Sequence, residues 1–450
     1  MDEHDAVTPT GHRRPADTVP DRPASRWSEM YAMLEQQLRD RDHDLALKTA
    51  EDVDWIALAD DEPDAASRCR GWIALCMVYL GVGALAQAVD AAARAQAAAV
   101  DAADETLQTY ASTLIAAGMA ANGEHSGALR LLAELGDLAE ASDEARRTAA
   151  LARVIVAVRT VDVDAFDAAA DDVEAIGSGG EVTDAILTVV ASWRSLLHGR
   201  PDEAAASTLR VTHGSRRLRL PPVARAAAVS VRTRALIVRG DALRALGALD
   251  GARSPAGHAV CLSMLRARVY LSLDRPRDAL RATDGCLRLG DRHSLATLTG
   301  VYLHRAVALE RLGHSDAADA MFVDGLHLAR TAVSLVSLAV LPDDTVDALW
   351  DRSAVADDTR LDQLREARKR AAPLRGPRAP RRRVPDFSPR EAIMARALVT
   401  GAPMSAIAED LHISPNTVKS QTRAVYRKAG VSSRTELIDL LDDAGFGGSL

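Results

Sequence analysis

The chain has 450 residues and a formal net charge of −8, with 48% hydrophobic but only 3% aromatic residues. That length holds two or three domains' worth of core, and scarce aromatics beside abundant alanine fit packed helices rather than sheets, so an all-α fold is expected. No uncharged apolar run reaches the roughly 18 residues of a membrane span, and the acidic start Met1-Asp2-Glu3-His4-Asp5 lacks the apolar stretch of a signal peptide, so the protein is expected to be cytoplasmic.

Residues 1–25 are polar and Pro-rich and are expected to be a disordered tail. From there to residue 352 the chain reads as helix after helix, with apolar positions at i, i+3, i+4 and i+7 broken by short Gly, Pro or Asp turns. The turns rhyme: Gly83 to Ala88, Gly123 to Ala128, Gly199 to Ala204, Gly240 to Ala245, Asp274 to Ala279 and Gly313 to Ala318, with a degenerate copy near Ala165 and Phe166. Taken on alanines 88, 128, 165, 204, 245, 279 and 318, the period is close to 40 residues. A small residue is needed at each position because two antiparallel helices approach closely there. A fixed period with a helix on each side of the turn means a stacked helix-pair solenoid. Residues 26–352 therefore form a helical-repeat sensor or interaction domain that resembles tetratricopeptide repeats, with helices longer than the ~34-residue consensus allows.

Several tempting sites fail within this region. Gly81-Val82-Gly83 followed by Ala86 matches a dinucleotide fingerprint, with Asp101 further on, but residues 84–103 read as one alanine-rich helix, which leaves no room for the strand that would present that acid. No phosphate-binding lysine loop occurs, since no lysine follows a glycine anywhere. No metalloprotease, nucleophile-elbow or clustered Asp/His pattern appears, so neither catalytic residues nor cofactors are expected. Cys69, Cys76, Cys261 and Cys286 show no C-x-x-C and no nearby His pair, which points to small buried hydrophobes rather than metal ligands or a disulfide framework.

Residues 353–386 read as a basic Pro/Arg linker. Leu361–Arg370 continues as a short basic helix, then Pro373, Gly376, Pro377, Pro380 and Pro385 stop helicity, and Arg375, Arg378 and Arg381-Arg382-Arg383 stud the segment. Charge is uneven: roughly −15 over residues 1–359, +8 over 360–383 and −1 beyond. The linker is either only a solvated tether or one that also touches phosphates, and composition leaves both open.

Residues 387–450 carry the sharpest chemistry. Ser388-Pro389-Arg390-Glu391 is a capping box opening a helix to about Thr400. Gly401 stops it, Pro403 opens a second helix over Met404–Leu411, and after the short turn His412-Ile413-Ser414 a third helix begins at Ser414-Pro415. Two short helices joined so tightly make a helix-turn-helix, whose second helix enters the major groove of double-stranded DNA. On that helix Asn416, Lys419, Ser420, Arg423 and Arg427 lie three or four apart and share a face. Of the four lysines in the chain, two fall here. A fourth helix is expected from a second capping box, Ser433 with Glu436, and its Leu437, Ile438, Leu440 and Leu441 exceed what a small domain buries, suggesting a self-association face.

This stretch resembles the LuxR-type DNA-binding domain, through Phe387-Ser388-Pro389-Arg390-Glu391, Gly401, Ile407-Ala408-Glu409, Leu411, Ile413-Ser414, Thr417-Val418-Lys419, Arg427-Lys428, Gly430-Val431 and Ser433-Arg434-Thr435-Glu436. The resemblance implies that Lys419, Ser420 and Arg423 reach base edges while Ser414, Thr417 and Arg434 hold the DNA backbone. Pro403, Gln421, Thr422 and Ala429 depart from the pattern, the last two at core positions. Region 4 of sigma factors has a related motif, but the tail from Gly430 to Arg434 favours LuxR. With its repeats the chain resembles the larger MalT-type regulators without their ATPase module. The expected function is a transcriptional regulator whose repeats sense an unknown protein, peptide or small-molecule effector and whose C-terminal domain binds promoter DNA, as a homodimer on two half-sites. The alternative is a helical-repeat interaction scaffold with a non-reading C-terminal module.

Overall fold

The computed structural model of the protein describes residues 25–212, residues 219–352 apart from 333, residues 366 and 368–375, and residues 387–434 and 437 apart from 401, 430 and 432. Among them every regular element is an α-helix or a short 3-10 turn. The all-α expectation stands. The N-terminal tail, the arginines beyond Arg375 in the connector and the capping box at Glu436 lie outside the described residues.

After α1 (Arg26–Arg39), α2 (His43–Asp52) and α3 (Trp55–Asp60), the chain runs as packed helix pairs. These are α4 (Ala65–Val82) with α5 (Leu85–Asp101), α6 (Glu105–Asn122) with α7 (His125–Glu134), and α8 (Asp143–Thr160) with α9 (Val163–Ile176). Then come α10 (Glu181–Leu197) with α11 (Pro201–Ser207), α12 (Pro222–Val238) with α13 (Ala242–Ala248), α14 (Leu262–Ser272) with α15 (Pro276–Leu289), and α16 (Leu295–Arg311) with α17 (Ser315–Ala332). The short helices α18 (Leu335–Ala339) and α19 (Asp343–Arg352) close the array.

The turn inside each pair repeats in geometry. One residue takes a left-handed conformation: Gly83, Gly123, Val161, Gly199, Gly240, Asp274 and Gly313. At Gly83 this lets its own N–H and that of Ala84 both reach the carbonyl of Tyr79, closing α4 before α5 starts. Five residues beyond each left-handed position sits a side chain at most 1% exposed: Ala88, Ala128, Phe166, Ala204, Ala245, Ala279 and Ala318. The degenerate copy is therefore in register on Phe166, and Ala165 faces solvent. Its turn is made by a strained valine rather than glycine, and Asp162 supplies the missing anchor by accepting the N–H of Ala165 at 3.0 Å. Gly83 ends a helix and follows no strand, which removes the dinucleotide reading on structural grounds as well.

The array curls until late pairs meet early ones: α12 packs on α4, α16 on α6, and α18 on α8. Residues 368–375, read in sequence as the middle of the linker 353–386, pack into this body instead. Ala371 and Leu374 are buried in the largest core cluster, and the 3-10 turn Ala372–Leu374 rests on α10 and α12. Arginines do the fastening: Arg268 donates to the carbonyl of Leu374 at 2.7 Å, Arg368 to that of Leu338 at 2.9 Å and Arg375 to that of Ala339 at 3.0 Å. Basic residues signalled a solvated segment in the sequence; here their long stems lie in the interior and only their N–H groups need partners.

Beside that contact lie cations with little to balance them. Arg234 and Arg268 are 6% and 5% exposed, and among the described residues no carboxylate pairs with either. The Arg234 guanidinium lies over the Trp193 ring at 5.5 Å, and burial first, then Arg268 and Arg159 nearby, push its pKa well below the usual arginine value. Burial also forces the neighbouring His304 imidazole down to about 3, so it is neutral.

At the other end Trp27 is 1% exposed, meets Trp55 edge-on and Trp72 at a tilt, both at 5.5 Å, and donates its indole N–H to the carbonyl of Ser67 at 2.9 Å. The indole fits only because residue 71 is glycine, where a Cβ would sit 2.3 Å from the ring. Gly71→Ala is expected to push Trp27 out of its slot and destabilise the N-terminal repeats by about 1–3 kcal/mol, as overpacking does. A lowered thermal midpoint with a red-shifted tryptophan emission checks this; an unchanged spectrum would show that the indole does not rely on the glycine.

All four cysteines are buried. Cys69 and Cys76 lie on α4 as small apolar residues. Cys261 and Cys286 are buried as well, but in polar company: two separate helix junctions bring them beside His258 and His293, and the spacing of His258 and Cys261, three residues apart, is the local sign of that cluster.

Candidate DNA-reading domain

The C-terminal domain builds from its caps. The Ser388 hydroxyl accepts the N–H of Glu391 at 3.4 Å while the Glu391 carboxylate accepts the N–H of Ser388 at 2.9 Å, which starts α20 (Pro389–Val399). The next helix, α21 (Met404–Asp410), begins after Pro403 with no side-chain cap. His412 takes a left-handed conformation (φ 52°) and turns the chain sharply into α22 (Pro415–Ala429). There the Ser414 hydroxyl caps the N–H of Thr417 at 3.1 Å and lies 2.8 Å from the Thr417 hydroxyl.

One face of α22 is buried through Val418, Thr422 and Val425. Val418 and Val425 join Met394, Ala395, Leu398, Ile407, Ala408, Val431 and Leu437 in a single core. Thr422 occupies a position that an aliphatic side chain would fill better; its hydroxyl reaches only the Met404 sulfur, at 4.0 Å. The opposite face carries Asn416, Lys419, Ser420, Arg423 and Arg427, all exposed. Ser420 donates to the carbonyl of Thr417 at 2.9 Å, which leaves its oxygen free to accept.

Two cations of the segment do other work. Lys428, the second lysine of this helix, lies 2.6 Å from the Glu391 carboxylate and so ties α22 to the cap of α20. Arg434 donates to the carbonyls of Leu398 and Ala402 at 2.6 and 2.7 Å, fastening the chain at that point against the end of α20. Arg434 is thus placed within the scaffold, apart from the exposed row, and nothing in its sequence context separated it from the row. Leu437 is buried in the same core, whereas Ile438, Leu440 and Leu441, from which self-association is expected, lie outside the described residues.

The Lys428 ammonium in the first place, and the Ser388 N–H after it, hold the Glu391 carboxyl down from its ordinary 4.5 to about 2. Because the folded value is the lower one, this pairing favours the fold at every pH above 4.5 and its contribution fades as pH falls from 4.5 toward 2. The pairing itself is expected to contribute evenly between pH 6 and 8 and to be lost in the acid window, and Glu391→Gln should remove that share of the acid loss. A carboxyl titration of Glu391 followed by NMR checks it, and a midpoint at the ordinary value would refute the pairing.

Comparison with known proteins agrees with this geometry. Residues 385–441 match the family described as bacterial regulatory proteins, luxR family. A stretch of 56 residues is 39% identical to the transcriptional regulatory protein YdfI of Bacillus subtilis (strain 168). That match covers 12% of this chain and 26% of the relative, so the chain spans only about a quarter of the length of the curated relative it matches. No described helix is long and apolar enough to cross a membrane. With its caps, its tight turn and its exposed cationic row, the segment 385–441 is a helix-turn-helix domain of the luxR family.

Proposed function

We propose that the protein is a DNA-binding transcriptional regulator in which α22 enters the major groove of a promoter. The observation that carries this is the division of that helix: Val418, Thr422 and Val425 are committed to the core, and Asn416, Lys419, Ser420, Arg423 and Arg427 stand together on the open side. Lys419 and Arg423 are long enough to donate to guanine acceptors, and Ser420 and Asn416 present shorter groups to neighbouring bases. Ser414, Thr417 and the N-terminus of α22 face the flanking phosphates, and Arg427 extends the electrostatic contact. Arg434 contributes by fastening the chain against the end of α20. The repeats sense an effector, and pairing of two chains sets two recognition helices one turn of DNA apart.

A genome-wide footprint of the full-length protein tests the reading. The expected result is a short motif, two-fold symmetric where two chains bind. Binding that follows no sequence, together with a partner protein captured through residues 26–352, would instead support the scaffold role.

A further inference from the structure

The cluster at Cys261 and Cys286 is assembled from two helix junctions. His258 closes the 3-10 turn Ala256–His258 and Cys261 is the N-cap of α14. Cys286 sits in the last turns of α15, and His293 follows the 3-10 turn Gly290–Arg292. Their ligating atoms all lie within 4.8 Å of one another. The two Sγ atoms are 3.6 Å apart, and each is 3.5 Å from Nδ1 of His258.

Those distances carry meaning. A disulfide would put the sulfurs about 2.05 Å apart. A tetrahedral zinc ion with Zn–S of about 2.3 Å and Zn–N of about 2.0–2.1 Å separates its ligands by roughly 3.3–3.8 Å along the edges of the tetrahedron. The three contacts among Cys261, Cys286 and His258 fall on those edges, and His293 completes a set whose atoms all lie within 4.8 Å, so its ring has to move in slightly to close the tetrahedron.

His293 adds an independent observation. Its Nδ1 lies 3.0 Å from the carbonyl of Ser294, which fixes the proton on that nitrogen and leaves a lone pair on Nε2. Among the described residues Nε2 is buried with no nitrogen or oxygen partner, in a residue only 2% exposed that lies beside the Cys286 sulfur. An unsatisfied buried acceptor costs about 1–3 kcal/mol, and a cation at the centre of the cluster would satisfy it. The surroundings are those of a ligand shell. The hydroxyl of Thr297 donates to the carbonyl of His258 at 2.7 Å, and the N–H of Ser294 donates to the carbonyl of Gly257 at 2.7 Å. His258 itself is held in a left-handed conformation (φ 53°) that a non-glycine residue adopts only when its surroundings impose it.

We propose that His258, Cys261, Cys286 and His293 form a zinc site. Two thiolates and two imidazoles, three of the four residues buried, make a closed four-ligand set with no position left for substrate, as in structural rather than catalytic sites. The ion joins α14, α15 and the start of α16 at one point. Ser294, next to His293, also donates to the carbonyl of Ala121 at 3.1 Å, so the same point fastens the late repeats to the end of α6. Zinc binding at this site is therefore expected to hold the curl of the array closed.

Full-length protein, reduced and stripped of metal, is to be titrated with cobalt(II) as a spectroscopic stand-in and then with zinc. One equivalent of cobalt is expected to give the intense visible bands of a tetrahedral thiolate site, and zinc should bleach them. Cys286→Ser and His293→Ala should each lose or shift those bands, while Cys69→Ser, which removes a buried cysteine far from the cluster, should leave them unchanged. Alkylation of Cys261 and Cys286 in the folded wild-type protein should slow at least tenfold once zinc is added. No cobalt spectrum from folded wild-type protein, a spectrum indifferent to Cys286→Ser, or a Cys261–Cys286 disulfide that survives reducing conditions would each overturn the site. Because the wild-type titration comes first, failure of a variant to fold does not rescue the idea.

Discussion

Replacing Lys419 and Arg423 together with alanine is expected to weaken binding to the preferred site by roughly 10² to 10⁴-fold, since each good pairing with a base edge contributes about 1–3 kcal/mol. Both side chains are exposed and, among the described residues, neither bonds within the domain, so the fold should be untouched and the effect should come from recognition. The double variant should also relax sequence preference and flatten the salt dependence by the equivalent of about two cations. Arg427→Ala offers the contrast: it removes a cation that faces phosphate and should weaken binding to all sequences alike. The check is a gel shift at fixed salt against the site found by footprinting and against a scrambled one. Equal affinity of wild type and double variant for the specific site would place the reading surface elsewhere.

The second large effect has the opposite sign. Arg234→Met is expected to stabilise the repeat domain by about 1–4 kcal/mol, because a buried guanidinium that, among the described residues, meets the Trp193 ring and other cations but no carboxylate is exchanged for an apolar side chain of similar reach. Its Nε is buried without a partner, as is one terminal nitrogen of Arg268, so desolvation of both cations is poorly offset. Thermal unfolding should show the late transition moving up. A lower midpoint would mean that the cation is balanced by a group outside the described residues. Arg268→Met makes a sharper case: it removes a cation but also the donor to Leu374, and should gain less.

What the sequence disclosed and what it hid divide along physical lines. Caps and periodicity are local, so the capping box at Ser388 and Glu391, the turn at His412 and the repeated turns from Gly83 to Gly313 could all be read directly. The register of the degenerate repeat was one residue off because alanine identity stood in for burial, and Phe166 fills the slot that Ala165 was given. The exposed row on α22 followed from spacing alone. The roles of Lys428 and Arg434 did not, because their partners Glu391 and Leu398 lie 37 and 36 residues away in the chain. The histidine–cysteine cluster was hidden for the same reason: His258 and Cys261 are close in sequence, but Cys286 lies 25 residues beyond Cys261 and only the fold brings the halves together. Basic composition at residues 368–375 pointed to solvent, where the fold makes it an anchor.

That anchor changes the mechanics of the whole molecule. With Arg375 fastened to α18, only the eleven residues 376–386 separate the repeat body from Phe387. Fully extended they span at most about 40 Å. The recognition helix is therefore leashed to a chain segment carrying roughly −11 charges over residues 1–375, at an effective concentration in the millimolar range. Any DNA on that helix therefore lies within about 40 Å of an acidic surface. At physiological salt fields fade within about 8 Å, so that surface is felt by the bound phosphates only where the short leash brings the two almost into contact.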